Sequence, residues 1–225
     1  QKSWILHIGT QGEILWSKIY SSQNVNDIQA TTDGHFVAVG NSGDFWAMKF
    51  SEDGSLFWQK NYGGSELDEA FDAVKTSEGN IIIVGNTRSN DKDISANNGS
   101  SDIWAISITE EGNLLWQKNY GGSSFDLANG VSQAQDGGFY IVGNTRSSDF
   151  DVTNNNGNKD VWVLKINSNG ELQSQKTIGG SEIDNANHVI ELSNQNIIVV
   201  GESWSSNFDI PTNKGFTDAL IIKMN

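Results

Sequence analysis

The sequence repeats itself at an interval of 58 residues. The motif W-Q-K-N-Y-G-G occupies residues 58–64 and again 116–122, and the related S-Q-K-T-I-G-G occupies residues 174–180. Four aspartates keep the same interval, namely Asp44, Asp102, Asp160 and Asp218. Units of this kind bury their apolar faces against their neighbours, because a lone unit has nothing to cover it. The chain is therefore expected to fold as a series of similar, mutually packed units.

Each unit is predicted to contain four short strands. In the second copy they cover residues 68–76, 81–87, 102–108 and 114–120. The second strand is a continuous apolar run ending in glycine, as is typical of a strand buried on both faces. The Glu-Gly dipeptide at 111–112 predicts a tight turn, and no segment has sustained apolar spacing at the helical period. Four antiparallel strands per unit indicate a β-propeller blade.

The predicted fold is all-β, a β-propeller of four-stranded antiparallel blades in one domain spanning residues 1–225. Strands of the W-x-I-x-I type occur five times and the other three types four times each, so the chain begins and ends inside a blade. We expect four blades, closed by the N- and C-terminal strands, with residues 12–20 forming the outer strand of the last one. Five blades, or a larger assembled ring, are the alternatives. The approximate repeat units are 1–22, 23–64, 65–122, 123–180 and 181–225.

Composition excludes several functional classes. The 14 basic residues face 28 acidic ones, giving a net charge of −14, so binding to a nucleic-acid backbone is not expected. The chain has no cysteine, which excludes thiol catalysis, disulfides and cysteine-ligated zinc. No apolar run approaches the ~20 residues of a membrane-spanning helix. We expect a monomer, or self-assembly through the terminal strands.

The repeat motifs resemble a known family. The runs W-Q-K-N-Y-G-G-S, S-E-G-N-I-I-I-V-G-N-T-R-S and N-G-x-x-D-x-W resemble a tandem repeat of secreted and surface proteins from Bacteroidota, many of them type IX secretion substrates. The repeats are also similar to delta-60-type repeats and to kelch-type blades. The resemblance runs from Trp4 to Lys223 and implies a secreted or cell-surface propeller without a particular reaction. Gln1 fits a mature N-terminus left by signal-peptide removal.

Three long loops between the second and third strands are candidate calcium sites. They combine D-x-D pairs with Asn and Gly, and calcium takes six to eight oxygen ligands from flexible loops. The competing interpretation is that Asp and Asn cap turns by bonding their own backbone, and Arg88 and Arg146 could instead pair with Asp91 and Asp149. The candidate metal ligands are Asp91, Asp93, Asp102, Asp149, Asp151, Asp160, Asp209 and Asp218.

Departures from the repeat are the better place to search for a ligand site, because a residue present in every blade usually belongs to the scaffold. His188 stands where Asp72 and Gly130 stand in the other units, and it would face the channel if first strands line it. Trp204 replaces Arg88 and Arg146 at the base of a loop. The candidate ligand-binding residues are Trp204, His188, Arg88 and Arg146. The alternatives are a solvated side chain for His188 and packing beneath the loop for Trp204.

No signature of a catalytic nucleophile, metalloprotease or phosphate-binding loop is present in the sequence. The leading hypothesis is an exported, non-enzymatic β-propeller that binds a surface glycan or a protein. One alternative is a carbohydrate-active enzyme, a polysaccharide lyase or glycoside hydrolase with its site at the central channel, since glycoside hydrolysis needs only two carboxylates. The other is a structural module assembled through its terminal strands.

Overall fold

The computed structural model describes residues 2–21 and 23–225; Gln1 and Ser22, which bound the first predicted unit, lie outside the described residues. The described chain forms seventeen strands, and none of it forms a helix long and apolar enough to cross a membrane. The strands are β1 (Lys2–Ile8), β2 (Ile14–Ser21), β3 (Asn24–Ala30), β4 (Phe36–Asn41), β5 (Phe45–Phe50), β6 (Leu56–Tyr62), β7 (Asp68–Lys75), β8 (Ile81–Thr87), β9 (Asp102–Ile108), β10 (Leu114–Tyr120), β11 (Asp126–Gln133), β12 (Phe139–Thr145), β13 (Asp160–Ile166), β14 (Leu172–Ile178), β15 (Asp184–Glu191), β16 (Ile197–Ser203) and β17 (Asp218–Met224).

The strands form consecutive antiparallel sheets of the predicted kind. Three sheets have four strands each, in the orders β3–β4–β5–β6, β7–β8–β9–β10 and β11–β12–β13–β14. They are flanked by a two-stranded sheet, β1–β2, and a three-stranded sheet, β15–β16–β17. The all-β, four-stranded blade architecture predicted from the repeat is confirmed. We call the four-stranded sheets blades one to three and the last sheet the terminal blade.

The expected strand exchange between the two ends is wrong. Residues 12–20 were expected to form the outer strand of the last blade, but β2 pairs with β1, from Lys2 opposite Ser21 to Ile8 opposite Ile14. The short connection at Gly9–Glu13 explains this, because it closes on itself through the Gly9 N–H bond to the Glu13 carbonyl. A local hairpin orders few residues, so it forms in preference to a pairing with a distant strand.

The apolar core lies between the blades rather than inside any one of them. Strands at the second and third positions alternate their side chains between the two neighbouring blades, so both faces are buried. Ile81 and Ile83 of β8 pack towards blade one, whereas Ile82 and Val84 pack towards blade three. The same face-to-face packing recurs at four successive interfaces, and the innermost strands β3, β7, β11 and β15 contact one another in turn.

The W-Q-K-N-Y motif joins each blade to the next. In β6, the Trp58 indole N–H donates to the Glu110 carbonyl at 3.0 Å, and the Tyr62 hydroxyl donates to the Gly112 carbonyl at 2.9 Å. Trp116 and Tyr120 of β10 repeat both contacts on the turn between β13 and β14. These bonds tie an outer strand to the turn of the following blade. The repeated motif is therefore part of the scaffold.

Both ends of the stack expose faces that are buried elsewhere. Trp4 of β1 is 61% exposed, although its equivalents Trp46, Trp104 and Trp162 are buried. At the other end Ile221 of β17 is 72% exposed, and Ile190 and Val200 beside it are also exposed. By position in the repeat, the exposed residues at the N-terminal end are equivalent to residues that pack on the preceding blade elsewhere in the protein. Those at the C-terminal end are equivalent to residues that pack on the following blade.

We predict that Gly143→Ala destabilises the fold. Gly143 lies in β12 beside a β-bulge of β11, and an added Cβ would overlap the Leu127 carbonyl oxygen. Backbone cannot yield to it as a flexible side chain would, so we expect a loss of about 1–3 kcal/mol in the free energy of unfolding. Chemical denaturation measures this loss. Gly215→Ala, whose Cβ would meet nothing within 4 Å, is the control, and equal losses in both variants would contradict the packing described here.

Candidate functional site

One edge of blade two, of blade three and of the terminal blade carries a long loop, and we call this edge the loop face. It consists of the linkers into the blades (63–67, 121–125 and 179–183) and the long loops (88–101, 146–159 and 204–217). The linkers and the loops lie together because the backbone N–H groups of Asp68, Asp126 and Asp184 donate to the carbonyls of residues 43, 101 and 159. Tight turns occupy the opposite face. The variable residues of the repeat are thus concentrated on the loop face.

The long loops pair the backbone amides of the linkers. In blade three, four successive amide N–H groups donate to side-chain oxygens at 2.7–3.2 Å, the pairs being Gly121–Asp151, Gly122–Asp126, Ser123–Asp149 and Ser124–Ser147. Blade two and the terminal blade repeat the arrangement, with Asn207 in place of a carboxylate in the latter. Successive amides of this kind form a concavity that accepts negative charge. The D-x-D motif fills that concavity from within the chain.

These contacts give the predicted metal ligands a structural role. Asp102, Asp160 and Asp218 each accept an amide N–H from the end of their own long loop, from Asn98, Asn156 and Lys214 respectively. Asp91, Asp93, Asp149, Asp151 and Asp209 bond the linkers. Within residues 2–21 and 23–225, no three acidic or histidine side chains converge as a metal site requires. Calcium binding by the loops stays a prediction of the sequence.

Two of these carboxyls are buried next to other carboxylates. Burial, opposed by the hydrogen bond from the Asn98 N–H and assisted by the negative charges of Asp126 and Asp151, raises the pKa of Asp102 to about 6. Burial likewise raises the pKa of Asp160 to about 6, with Asp184 and Asp209 as the acidic neighbours. One oxygen of each, Oδ1, is buried without a hydrogen-bond partner. Both groups therefore hold a proton more readily in the folded chain than in the unfolded one.

Large aromatic side chains project from the loop face. Phe150 is 71% exposed and Phe208 69% exposed, and Phe216 is almost fully exposed. Phe150 and Phe208 occupy equivalent loop positions, and both have left-handed backbone, at φ 52° and φ 54°. Lys92 is the equivalent residue of the first long loop and has φ 56°. The left-handed conformation is therefore common to the three long loops, and in two of them the residue that adopts it is an exposed phenylalanine.

Three of the predicted ligand residues lie at equivalent positions on the loop face, one in each long-loop blade. The amides of Arg88, Arg146 and Trp204 donate to the carbonyls of residues 67, 125 and 183, which places each one beside an apolar linker residue. The Arg88 and Arg146 side chains are exposed, and Trp204 is half-buried. Neither arginine has a carboxylate within 4.0 Å in the described part of the chain, so the alternative in which they pair with Asp91 and Asp149 does not occur. The loop carboxylates bond linker amides instead.

The fourth predicted residue, His188, lies on the innermost strand β15. Its side chain is exposed, and it follows the β-bulge of that strand, as Asp72 follows the bulge of β7. Burial raises the pKa of Asp72, and its carboxylate accepts the Val131 N–H at 2.9 Å. The innermost strands, which we call the hub, thus bring His188 and Asp72 into one region. This region is separate from Arg88, Arg146 and Trp204.

Some residues of interest had no signal in the sequence analysis. A cavity of about 240 Å³ on the loop face is lined by Phe125, Leu127, Asn144, Arg146 and Lys159. Lys159 could have been found by aligning the copies, since it replaces a serine, a threonine and a glycine. A larger cavity, of about 920 Å³, lies on the opposite face beside the two-stranded sheet β1–β2. His7 and His35 both line it. His7 and Trp16 in that cavity are both bonded to the Glu52 carbonyl.

The fold is similar to that of solved β-propellers. The WD40 β-propeller domain of Doa1 matches with a TM-score of 0.54 at 14% identity, over 84% of this chain and 51% of that one. A gluconolactonase-like protein matches with a TM-score of 0.51 at 13% identity, over 84% and 61% of the two chains. A protein of unknown function from Bacteroides caccae gives a TM-score of 0.50 at 14% identity, over 84% and 58%.

These similarities show the fold alone, because the sequences are so different. No protein-family model matches the chain, and no curated protein sequence matches it. The chain spans roughly half to three fifths of the length of the similar structures. The chain is accordingly a β-propeller by structure.

We predict that Asp102→Asn changes how stability depends on pH. The folded-state pKa of Asp102 lies above the unfolded value, so the stability that this group contributes is present at acidic pH and is lost as the pH rises through about 6. Asparagine stays neutral at every pH. The free energy of unfolding of the variant should therefore equal that of the wild type near pH 4 and exceed it by on the order of 2 kcal/mol at neutral pH. Denaturation across this pH range measures the difference.

Asp149→Asn is the control for that experiment. Bonds from the backbone and side chain of Ser123 hold the pKa of Asp149 below its usual range, so its charged form is the stabilised one. This variant should lose stability at neutral pH. A loss of stability at neutral pH in Asp102→Asn as well would contradict the buried, proton-holding state of that carboxyl.

Proposed function

We propose that this protein is an exported, non-enzymatic β-propeller that recognises a surface glycan through its loop face. The observation that carries the proposal is the exposure of Phe150 and Phe208 on loops with left-handed backbone. An L-residue in this conformation costs about 1–2 kcal/mol, and a Phe side chain has no polar group to compensate for it. Exposed aromatics at strained positions are expected where they contact a ligand.

The surroundings of the phenylalanines favour a glycan over a protein. Between them the loop surface is made of small polar residues, as in T-N-N-N-G-N at 153–158. Amide and hydroxyl groups offer donors and acceptors to sugar hydroxyls, and an aromatic face covers the apolar face of a sugar ring. Phe150 and Phe208 lie one repeat unit apart on separate loops, whereas the aromatic residues of a protein interface gather at its buried centre. A protein partner is the alternative outcome.

The scaffold role of the acidic residues supports binding without catalysis. A hydrolytic site needs two carboxyl groups free to act on the substrate. At the hub, Asp72 accepts the Val131 amide and Asp27 accepts the Gln29 side-chain amide. The loop carboxylates are bonded to linker amides in the same manner. Export rests on the resemblance of the repeat motifs to secreted proteins, on the acidic balance of the chain and on its Asn-, Ser- and Gly-rich loops.

We predict that the double variant Phe150→Asn, Phe208→Asn loses glycan binding without losing stability. Asparagine tolerates left-handed backbone better than phenylalanine, so the thermal midpoint should be unchanged or higher. Binding on a glycan array should be lost, because the contacting rings are gone. A parallel reducing-sugar assay on the wild type should show no release of new chain ends.

The control is Phe57→Asn, which removes a half-exposed ring from the opposite face. It should bind as the wild type does. Glycan binding that survives in the double variant would contradict the assignment to the loop face. New reducing ends produced by the wild type would show an enzyme instead.

A second candidate, assembly, is favoured by the exposed end faces. The Trp4 face and the Ile221 face are the two halves of the interface that the chain forms internally, so a second copy can pack head to tail on the first. This differs from strand addition, because it uses sheet faces rather than sheet edges. It is compatible with glycan binding, since both end faces lie away from the loop face.

We predict that the wild type self-associates with increasing concentration and that Ile221→Lys is a monomer. A lysine at this position would place a charge in an apolar interface. Size-exclusion chromatography with light scattering measures the mass. Leu115→Lys, on an exposed outer strand, is the control and should associate as the wild type does. A wild type that remains monomeric at the highest attainable concentration would contradict assembly.

A further inference from the structure

The small cavity on the loop face of blade three has an unusual composition for so acidic a chain. It measures about 240 Å³, and two of its five lining residues, Arg146 and Lys159, are cationic. The Arg146 guanidinium lies over the Phe125 ring, 6.0 Å from its centre, so the two side chains form one wall of the cavity. The side-chain amide of Asn144 supplies a donor and an acceptor to the same cavity.

The equivalent positions of the other blades do not repeat this composition. In blade two Arg88 remains, but Glu69 replaces Leu127 and Ser101 replaces Lys159, so the cation is matched by a carboxylate. In the terminal blade Trp204 and Thr217 replace the two cations, and Glu202 adds a negative charge. Scaffold residues recur at equivalent positions of all three long-loop blades, as Asp68, Asp126 and Asp184 do. A pair of cations confined to one copy has no such scaffold role.

The two cations have no anionic partner within the chain. Among residues 2–21 and 23–225, no carboxylate lies within 4.0 Å of either side chain. Burial lowers the pKa of Lys159, and the positive charge of Arg146 lowers it further, whereas the negative charge of Glu202 opposes this shift. Holding two like charges together in a half-buried cavity is unfavourable unless an anion joins them. The cavity therefore lacks a negative group that a ligand can supply.

We propose that this cavity binds an anionic substituent of a sugar, a carboxylate or a sulfate ester, and so makes the protein selective for acidic glycans. The anion lies between Arg146 and Lys159, where the planar guanidinium can hold two oxygens of the same group. The ring that carries the anion lies against Phe125, and Asn144 bonds a ring hydroxyl. The inference rests on glycan recognition by the loop face and specifies the class of glycan.

The size and charge of the surroundings fit this assignment. A cavity of about 240 Å³ is smaller than the ~300–1,000 Å³ of sites that enclose a whole drug-sized ligand, so it accommodates one sugar unit of a longer chain. The net charge of −14 repels polyanions from the remainder of the surface. Binding of a polyanion by this protein thus requires a local cationic site, and this cavity supplies two cations.

The experiment compares three probes with one backbone: dextran, carboxymethyl-dextran and dextran sulfate oligosaccharides, titrated calorimetrically into the full chain. The wild type should bind at least one of the charged probes more tightly than neutral dextran. Lys159→Ser should weaken that binding about ten- to a hundredfold, because a charge-assisted hydrogen bond is lost. Serine stands at the equivalent position of blade two, so the variant is expected to fold.

Lys176→Ser makes the same change in net charge on an exposed outer strand and should bind the charged probe as the wild type does. The two charged probes distinguish a carboxylate from a sulfate ester, and competition by inorganic sulfate alone tests whether the sugar ring contributes. Equal binding of dextran and both charged probes, or equal losses in the two lysine variants, would overturn the inference while leaving glycan binding intact. Failure to bind any glycan, on these probes and on the array, would overturn the proposed function as well.

Discussion

Everything in this structure depends on the packing of blade against blade. A single four-stranded sheet of this sequence has two apolar faces and no interior, so its stability comes from neighbours that cover both faces. Ile81 and Ile83 pack on one neighbour and Ile82 and Val84 on the other, which shows how one strand contributes to two cores. The Trp58 and Tyr62 bonds then fix the register of adjacent blades. A scaffold built in this way leaves its loops free to vary.

The second constraint is the need to pair the amides of the linkers. The chain crosses from one blade to the next through Gly-Gly-Ser segments, whose successive N–H groups cannot join a strand ladder. Asp149, Asp151 and Asp126 accept these bonds in blade three, and their counterparts do so in the other long-loop copies. Much of the acidity of the chain is therefore structural. The negative charge on the loop face is a consequence of scaffold geometry, against which the cations of one cavity stand out.

Sequence reasoning predicted the blades well because repetition tests every assignment several times. The predicted strand 81–87 is β8, and the predicted 114–120 is β10. It was wrong about the pairing of residues 12–20, since a count of strand types does not say whether a terminal strand pairs locally. It placed Arg88, Arg146 and Trp204 at loop bases, but it did not find Lys159 or Phe125. The cavity joins residues from two strands, a linker and a long loop of the same blade, because Leu127 lies opposite Asn144 in the β11–β12 pair and the Arg146 N–H donates to the Phe125 carbonyl.

The central claim is that recognition occurs where one blade differs from the others. Hydrogen–deuterium exchange with and without the preferred charged dextran oligosaccharide tests it most directly, because exchange reports the location of the ligand on the backbone. The account predicts added protection in the segments around Phe125, Arg146 and Lys159 and in the loops that carry Phe150 and Phe208, with little change at the equivalent segments of blade two. Equal protection of all three copies, or protection confined to the turns of the opposite face, would contradict it.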